Sequence, residues 1–489
     1  MELYNNIASI LSKKGINLVV GNIYDFQQIW LQWYRGSVDD FHYYTAKVNG
    51  KTTLCERKTM NMPKKICEDI SKLLWTEKTR IDLGNPESTE RLWNVLDSKE
   101  NSFTVNFPIF LEKSCAIGTG ALIEYKDINN KTIIDYLDGT VIIPYLYTNS
   151  YIRGLVTISR FTEEIEKNKK IYYTHLTYHE YANGVYTKYN EIYKSENENE
   201  LGDESDFSNM FPNVLEIEEI TTDVPRFQIF KPNIANNYDI NSPMGISVLA
   251  NSIDRFQSID LKYDSFYNEF VLGKKRILVD PTAMKAQWEA NQNGDTTLVQ
   301  YFDTEDRAFV AINGMEGQPI KDIDMSIRAT EHIDAINSEL NWLSSNVGLG
   351  TNFYKFDGVT TKTATEVMSE NSQAFRSKVH HDIIVNDVVY DLVKVICEME
   401  NIPITNLSII ADDSIIEDKN TEQIKAQQEV SAGLMSKKTY LMNQKGMSED
   451  EANKELMRIS EEKSKESNMF DFQVGEEWYY AYTRAVESN

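Results

Sequence analysis

Three clusters in this chain carry residue types that do chemistry. His175, His179 and Glu180 are a donor set for a divalent metal, Asp412 and Asp413 are paired carboxylates suited to a cation, and His380 and His381 are adjacent imidazoles. None has the spacing its chemistry needs. His175 and His179 fall in a stretch with a period of two, which puts them on one strand face and Glu180 on the other, so they read as solvated or cross-strand residues. Asp412-Asp413 precedes a helical stretch, where acidic residues cap a helix and complement its dipole. His380-His381 sit mid-helix with no thiol or carboxylate pattern around them. Gly118-x-Gly120 lacks the third glycine of a dinucleotide fingerprint and leads into a strand. No Gly-x-x-x-x-Gly-Lys-[Ser/Thr] phosphate loop is present, which argues against a motor ATPase, and no nucleophile–base–orienter spacing stands out. Cys55, Cys67, Cys115 and Cys397 lack metal-ligand spacing and read as inert thiols of a reducing compartment. The expectation is a structural protein without metal or cofactor.

Composition narrows the classes further. At 489 residues the chain exceeds what one hydrophobic core supports, so several structural regions are expected. A mean hydropathy of −0.45 and the lack of a long uncharged apolar run exclude a transmembrane span and a membrane partner. Met1-Glu2-Leu3-Tyr4-Asn5-Asn6 has no basic region leading into an apolar one, so no signal peptide is expected. The net charge of −25 argues against tight, non-specific gripping of a phosphate backbone, which needs clustered Lys and Arg. It leaves room for a protein that handles DNA without holding it.

The elements are organised around residues 241–348. Ser242-Pro243 reads as an N-cap with proline at the first helical position. Leu249, Ile253, Phe256, Ile259, Tyr263, Phe266 and Phe270 then mark one stripe of a helix ending at Gly273. Ile320, Ile323, Ile327, Ile333, Ile336, Leu340, Leu343 and Val347 mark a second, ending at Gly348-Leu349-Gly350. The two suggest an antiparallel pair. The insert between them reads as a small α/β module: strands at 276–279 and 308–312, and a helix opening at Asp280-Pro281 and carrying Trp288. Upstream, residues 24–99 read as mainly helical, with Phe26, Ile29, Trp30, Trp33 and Tyr34 as one cluster and Met62-Pro63 opening a further helix. From Phe103 to Lys194 the period is two, and Asn183-Gly184 signals a type I′ hairpin. Residues 195–206 read as an acidic loop. Downstream, a loop at 350–361 leads to a third long helix from Thr363, with Glu366 completing a capping box, and then to a strand at 407–411. Helices at 421–435, after Ser436 and from Ser448, and an aromatic tail with Trp478, Tyr479 and Tyr480, close the chain.

In this order the motifs resemble the portal proteins of tailed bacteriophages, of the type found in long-tailed phages of Gram-positive hosts. The resemblance rests on Trp33-Tyr34-Arg35-Gly36, on Asn61-Met62-Pro63-Lys64-Lys65-Ile66, and on Phe230-Lys231-Pro232-Asn233-Ile234-Ala235-Asn236-Asn237 running into Ser242-Pro243-Met244-Gly245. Thr363-Ala364-Thr365-Glu366-Val367-Met368 and Ala432-Gly433-Leu434-Met435-Ser436 match later segments.

The resemblance implies a mainly helical α+β chain: wing 1–240, first stem helix 241–272, clip 273–318, second stem helix 319–348, tunnel loop 349–362, long kinked helix and wing strand 363–411, and crown with C-terminal tail 412–489. It implies a ring, usually of twelve subunits, at one capsid vertex of the virion, assembled in the host cytoplasm with the major capsid and scaffolding proteins. Double-stranded DNA would pass through it under a separate terminase, and the clip would meet the head-tail adaptor. On that reading Asn352, Tyr354, Lys355, Asp357 and Lys362 face DNA, and Lys285, Trp288 and Asn291 contact the adaptor. Phe256, Tyr263, Phe266, Leu340 and Leu343 lie between subunits of the stem. An acidic wall suits a conduit, because it discourages DNA from sticking. A nucleic-acid-processing enzyme with an unrecognised carboxylate site, or another capsid or tail-interface protein, stay open as alternatives.

Overall fold

The computed structural model of the protein describes residues 2–16, 22–48, 51–166, 169–273, 276–279, 285–290, 296–301, 309–311, 320–323, 326–356, 364–410, 426–445 and 451–460. Residues Met1–Asp412 form one compact unit and Asp413–Asn489 a second.

The first unit begins with α1 (Glu2–Lys13), α2 (Ile23–Arg35) and α3 (Asp39–His42). Strands β1 (Tyr43–Val48) and β2 (Lys51–Glu56) follow, then α4 (Met62–Leu74), β3 (Arg80–Asp82), α5 (Pro86–Leu96) and α6 (Phe103–Ile117). Pro63 stands in the first turn of α4, and Asn85 caps α5 by accepting from the amides of Glu87 and Ser88. Two elements correct the sequence reading. Residues 43–56 pair as an antiparallel hairpin inside the region expected to be helical, and Asn49-Gly50 was the signal for it. Residues 103–117 are a helix rather than the start of the β region. That helix buries Phe103, Phe107, Phe110, Leu111, Ser114 and Cys115 on one side, but Val105 and Ile109 put apolar residues on its exposed side too, so the sequence shows little amphipathic contrast. Phe107 stacks on Phe103 at 4.7 Å and meets Trp75 edge-on at 4.9 Å, which makes α6 the centre of the main core.

The β region comprises β4 (Gly120–Lys126), β5 (Thr132–Asp138), β6 (Ile142–Thr148), β7 (Tyr151–Glu166), β8 (Lys169–Ala182) and β9 (Val185–Ser195). β10 (Asp203–Ser205), α7 (Phe207–Met210), β11 (Ile217–Thr221) and β12 (Phe227–Phe230) complete it. β12, β4 and β5 make one antiparallel sheet, and β10-β9-β8-β7-β6 with β11 on β9 another. Asn183 and Gly184 both take positive φ, 53° and 75°, as the hairpin signal requires. The acidic stretch after Ser195 is no free excursion: Leu201 is buried and Asp203–Ser205 pairs back onto β9. α1 covers the large sheet with Ile7 and Leu11, and Lys14 reaches the buried carboxylate of Glu191.

The chain then enters α8 (Ile253–Leu272), which starts ten residues later than Ser242-Pro243 suggested. Residues 243–250 are buried, and their donors are already taken. Gly245 N donates to Thr119 Oγ1 (3.0 Å), Ser247 Oγ to Cys115 O (3.1 Å) and Val248 N to the same carbonyl (3.0 Å). This segment closes off the C-terminal end of α6 and cannot wind into a helix. Gly118 serves the same contact, and Gly120 lets β4 lie against the side chains of α6. Gly118 has φ 94°, and a Cβ there would lie 2.5 Å from the Ile246 carbonyl carbon; one at Gly120 would meet Ser114 Oγ at 2.0 Å. Close backbone approach, not dinucleotide binding, explains this pair.

Between the long helices the described elements are strands: β13 (Arg276–Val279), β14 (Lys285–Ala290), β15 (Thr296–Tyr301), β16 (Phe309–Ala311) and β17 (Ile320–Ile323). β17 pairs with β13, so residues 320–323 are not the start of the second helix; two isoleucines three apart suit a helix face, and strand pairing overrides that spacing. α9 (Ala329–Asn346) is that helix, and α10 (Ala364–Glu400) the third. Ser408–Ile410 pairs with β3 and returns the chain to the first helices. In the second unit, helices occupy 426–431, Lys437–Lys445 and 451–460, with Ser436 Oγ accepting from Thr439 N as a cap. The helix start expected at Ser448 and the aromatic tail lie outside the described residues.

Candidate functional site

Charged side chains zip α8 to α9. Glu339 receives Arg255 (3.3 Å), Ser258 (3.0 Å) and Lys262 (2.8 Å), while Glu269 takes both prongs of Arg328 (2.9 Å each) with His332 at 3.7 Å. Early residues of α8 thus meet late residues of α9 and the reverse, which makes the pair antiparallel as expected. The bidentate Arg328 bond holds the Glu269 carboxyl down to about 2.

Where the stripes go differs from expectation. Phe256, Leu340 and Leu343 are buried in the chain's own core with Ile66 and Ile70 of α4, Phe107 of α6 and Val389 of α10, so they are not left over for a neighbouring subunit. Tyr263 and Phe266 are half-buried, their rings 6.3 and 6.1 Å from that of Phe356. The cover comes from α4, α6, α10 and the following loop, which the sequence does not place. Phe270 at the end of the first stripe stays uncovered, and so do residues outside it: Leu261, Tyr267 and, at 61% exposure, Trp342, with the Arg255 guanidinium 5.9 Å above its ring.

The pair is fastened to the first helices through Asp260, which is buried. It accepts from His42 Nε2 (3.1 Å), Thr59 Oγ1 (2.8 Å) and Met60 N (2.9 Å). Val38 N donates to His42 Nδ1 at 2.9 Å, which fixes the tautomer with its proton on Nε2. One turn on, Asp264 accepts from Lys58 N at 3.0 Å.

At the other end of α9, Gly348 and Gly350 take φ of 80° and 91° and turn the chain back. Three alternate amides of the loop then end on three side chains of α9. Asn352 N donates to Asn341 Oδ1 (2.8 Å), Tyr354 N to Ser344 Oγ (3.2 Å) and Phe356 N to Asn337 Oδ1 (2.8 Å). Acceptors spaced four and three apart share one helix face. Tyr354 is an anchor and not a lining residue: its ring is buried, its hydroxyl donates to Asp69 Oδ2 at 2.9 Å, and burial with Asp69 beside it pushes the phenol far up. Lys355 points to solvent and Asn352 is half-buried. Asp357 and Lys362 lie outside the described residues.

A family model described as "Phage portal protein, SPP1 Gp6-like" matches residues 4–469. The chain belongs to this family of phage portal proteins. The family is structural, so this portal chain is not an enzyme but a component of a phage particle. Among solved structures it is similar to a chain from the virion of a native gene transfer agent particle, at 8% identity and a TM-score of 0.38, covering 78% of this chain and 89% of the other. It is also similar to one from the neck of that particle computed with C12 symmetry, again at 8% identity and 0.38, covering 78% and 88%. No curated protein matches.

The remaining portal residues singled out in the sequence fall as follows. Lys285 and Trp288 lie on strand β14, in register with Tyr301 and Leu298, and not on a helix; Asn291 is outside the described residues. His175 and His179 do share a face, and both are spent. His175 Nε2 meets Asn190 Oδ1 at 3.0 Å, and His179 Nδ1 meets Tyr186 Oη at 2.8 Å, where burial drives its pKa down to about 3. His381 Nδ1 accepts from Asn233 N at 3.0 Å, so it docks the Phe230–Asn237 motif on α10. Asp260 escaped the sequence reading altogether, because a single carboxylate on an amphipathic helix looks like a solvated one. Asn337, Asn341 and Ser344 could have been found as small polar residues at helical spacing beside a glycine-rich exit.

Proposed function

We propose that the chain forms a ring, of twelve copies, at one vertex of the capsid of a long-tailed phage of a Gram-positive host. In this reading α8 and α9 are the stem wall, and the loop after α9 faces a central channel for DNA during packaging and ejection. The strands between the stem helices meet the head-tail adaptor, and terminase docks to deliver DNA. The observation that supports it is the one-sidedness of the stem. Its inner stripe is covered by its own chain, yet Leu261, Tyr267, Phe270 and Trp342 stand exposed along the same helices. A neighbouring copy supplies the missing cover, and a heterologous contact repeated by rotation closes into a ring. Lys355, exposed beside a loop held by its backbone, is positioned to touch phosphates in passing, while the net charge of −25 per copy keeps DNA from adhering.

Negative-stain imaging and native mass spectrometry of the full-length chain test this. Rings with an axial hole are expected; compact monomers at every concentration would overturn it. Deleting 350–358 is expected to leave rings intact and to impair packaging.

A further inference from the structure

Lys231 follows β12 in the Phe230–Asn237 motif, and its ammonium is held by carbonyls alone. Nζ donates to Ser150 O at 2.7 Å and Pro243 O at 2.9 Å, and it pairs with no carboxylate among the described residues. A cavity of about 650 Å³ opens over it, walled by Asn149, Asn233, Asn236, Ser242 and Ile384 and by no aspartate or glutamate. In a chain with 75 acidic and 50 basic residues, an acid-free basin with a lysine at its floor is a departure from the average surface. Asp387 and Asp391 line an adjoining cavity that shares Ser150, Lys231 and Ile384 with this one, and Asp391 pairs with Lys394.

A cation drawn out of water with only neutral acceptors is costly, and a carboxylate entering the cavity converts that cost into a charge-assisted hydrogen bond. The rim says what carries the carboxylate. Ile240, at 84% exposure, and Ile234 stand at its edge. Isoleucines give a free ion nothing, but they complement the apolar neighbours of an acidic residue in a polypeptide. We propose that this cavity receives an acidic side chain from a second copy of the chain, with its carboxylate on Lys231 and its neighbours on Ile240 and Ile234. This rests on the ring reading and adds a polar contact away from the stem.

The test uses the full chain, dilute and assembled. Acylation of Lys231, followed by mass spectrometry, is expected to run at least tenfold slower in the assembly than in the monomer. Burial lowers this amine to about 8, so the free form is present to react near neutral pH. Ile240→Asp, on a side chain too exposed to disturb folding, is expected to keep the wild-type melting curve and lower the assembled fraction at least tenfold. Lys231→Gln should do the same, and Lys231→Arg should assemble. Rings that leave Lys231 as reactive as in the monomer, or that form unchanged with Ile240→Asp, overturn this inference and spare the ring. A wild type that never assembles overturns both. Protection of the dilute monomer by acetate, with none gained on assembly, assigns the cavity to a free carboxylate and overturns the proposal as well.

Discussion

The α6 core and the α8–α9 stem solve the same problem in opposite ways. α6 sinks Phe103, Phe107, Phe110 and Leu111 among α4, the β4–β5 strands and residues 243–250, and of its apolar side chains only the smaller Val105 and Ile109 stand out on its far face. The stem helices are amphipathic twice over: one stripe goes into that same core, while a second set led by Trp342 goes nowhere within the chain. Completeness marks the region that sets the fold. Incompleteness marks the region that waits for something.

The largest expected effect tests the complete side. Asp260→Ala leaves His42, Thr59 and Met60 N without their acceptor, and should destabilise the monomer by about 3 kcal/mol in urea unfolding. A change under ~0.5 kcal/mol, the range of an ordinary surface substitution, would mean that the tether is not part of the complete core. Trp342→Asp tests the other side. Monomer stability should stay within ~0.5 kcal/mol, whereas assembly followed by sedimentation should weaken by about 2 kcal/mol per contact, the scale of an interfacial tryptophan. If the monomer unfolds instead, the contrast between the regions fails.

How far this division is legible in the sequence depends on how many alternatives each signal excludes. Asn183-Gly184 between alternating strands excludes nearly everything but a hairpin, and the hairpin is there. The long third helix, with its steady apolar spacing to Glu400, is equally plain. Ser242-Pro243 failed because Cys115 and Thr119, over a hundred residues away, take the donors that a helix start would leave free. The stem interface failed for a related reason: spacing shows that Phe256 and Leu340 face something apolar, and cannot say whether it belongs to the same chain.

Two smaller effects sharpen the boundary where the stem meets its loop. Asn341→Ala or Ser344→Ala removes one acceptor worth about 1 kcal/mol, so exchange of the 352–356 amides should rise about fivefold, with the α6 amides unchanged. The mildest perturbation is pH. Glu269 is depressed to about 2 by Arg328, so its contribution is full above the ordinary glutamate value and fades as pH falls towards 2. Being exposed, it should shift melting only slightly over that window, and Glu269→Gln should abolish the shift.

The loop's attachment has a consequence for how it responds to salt. Its amides end on two carboxamides and a hydroxyl, none of which carries charge. Salt does not screen such bonds. Asp69 holds the loop only through the Tyr354 side chain; the bonds that hold its backbone are electrically silent.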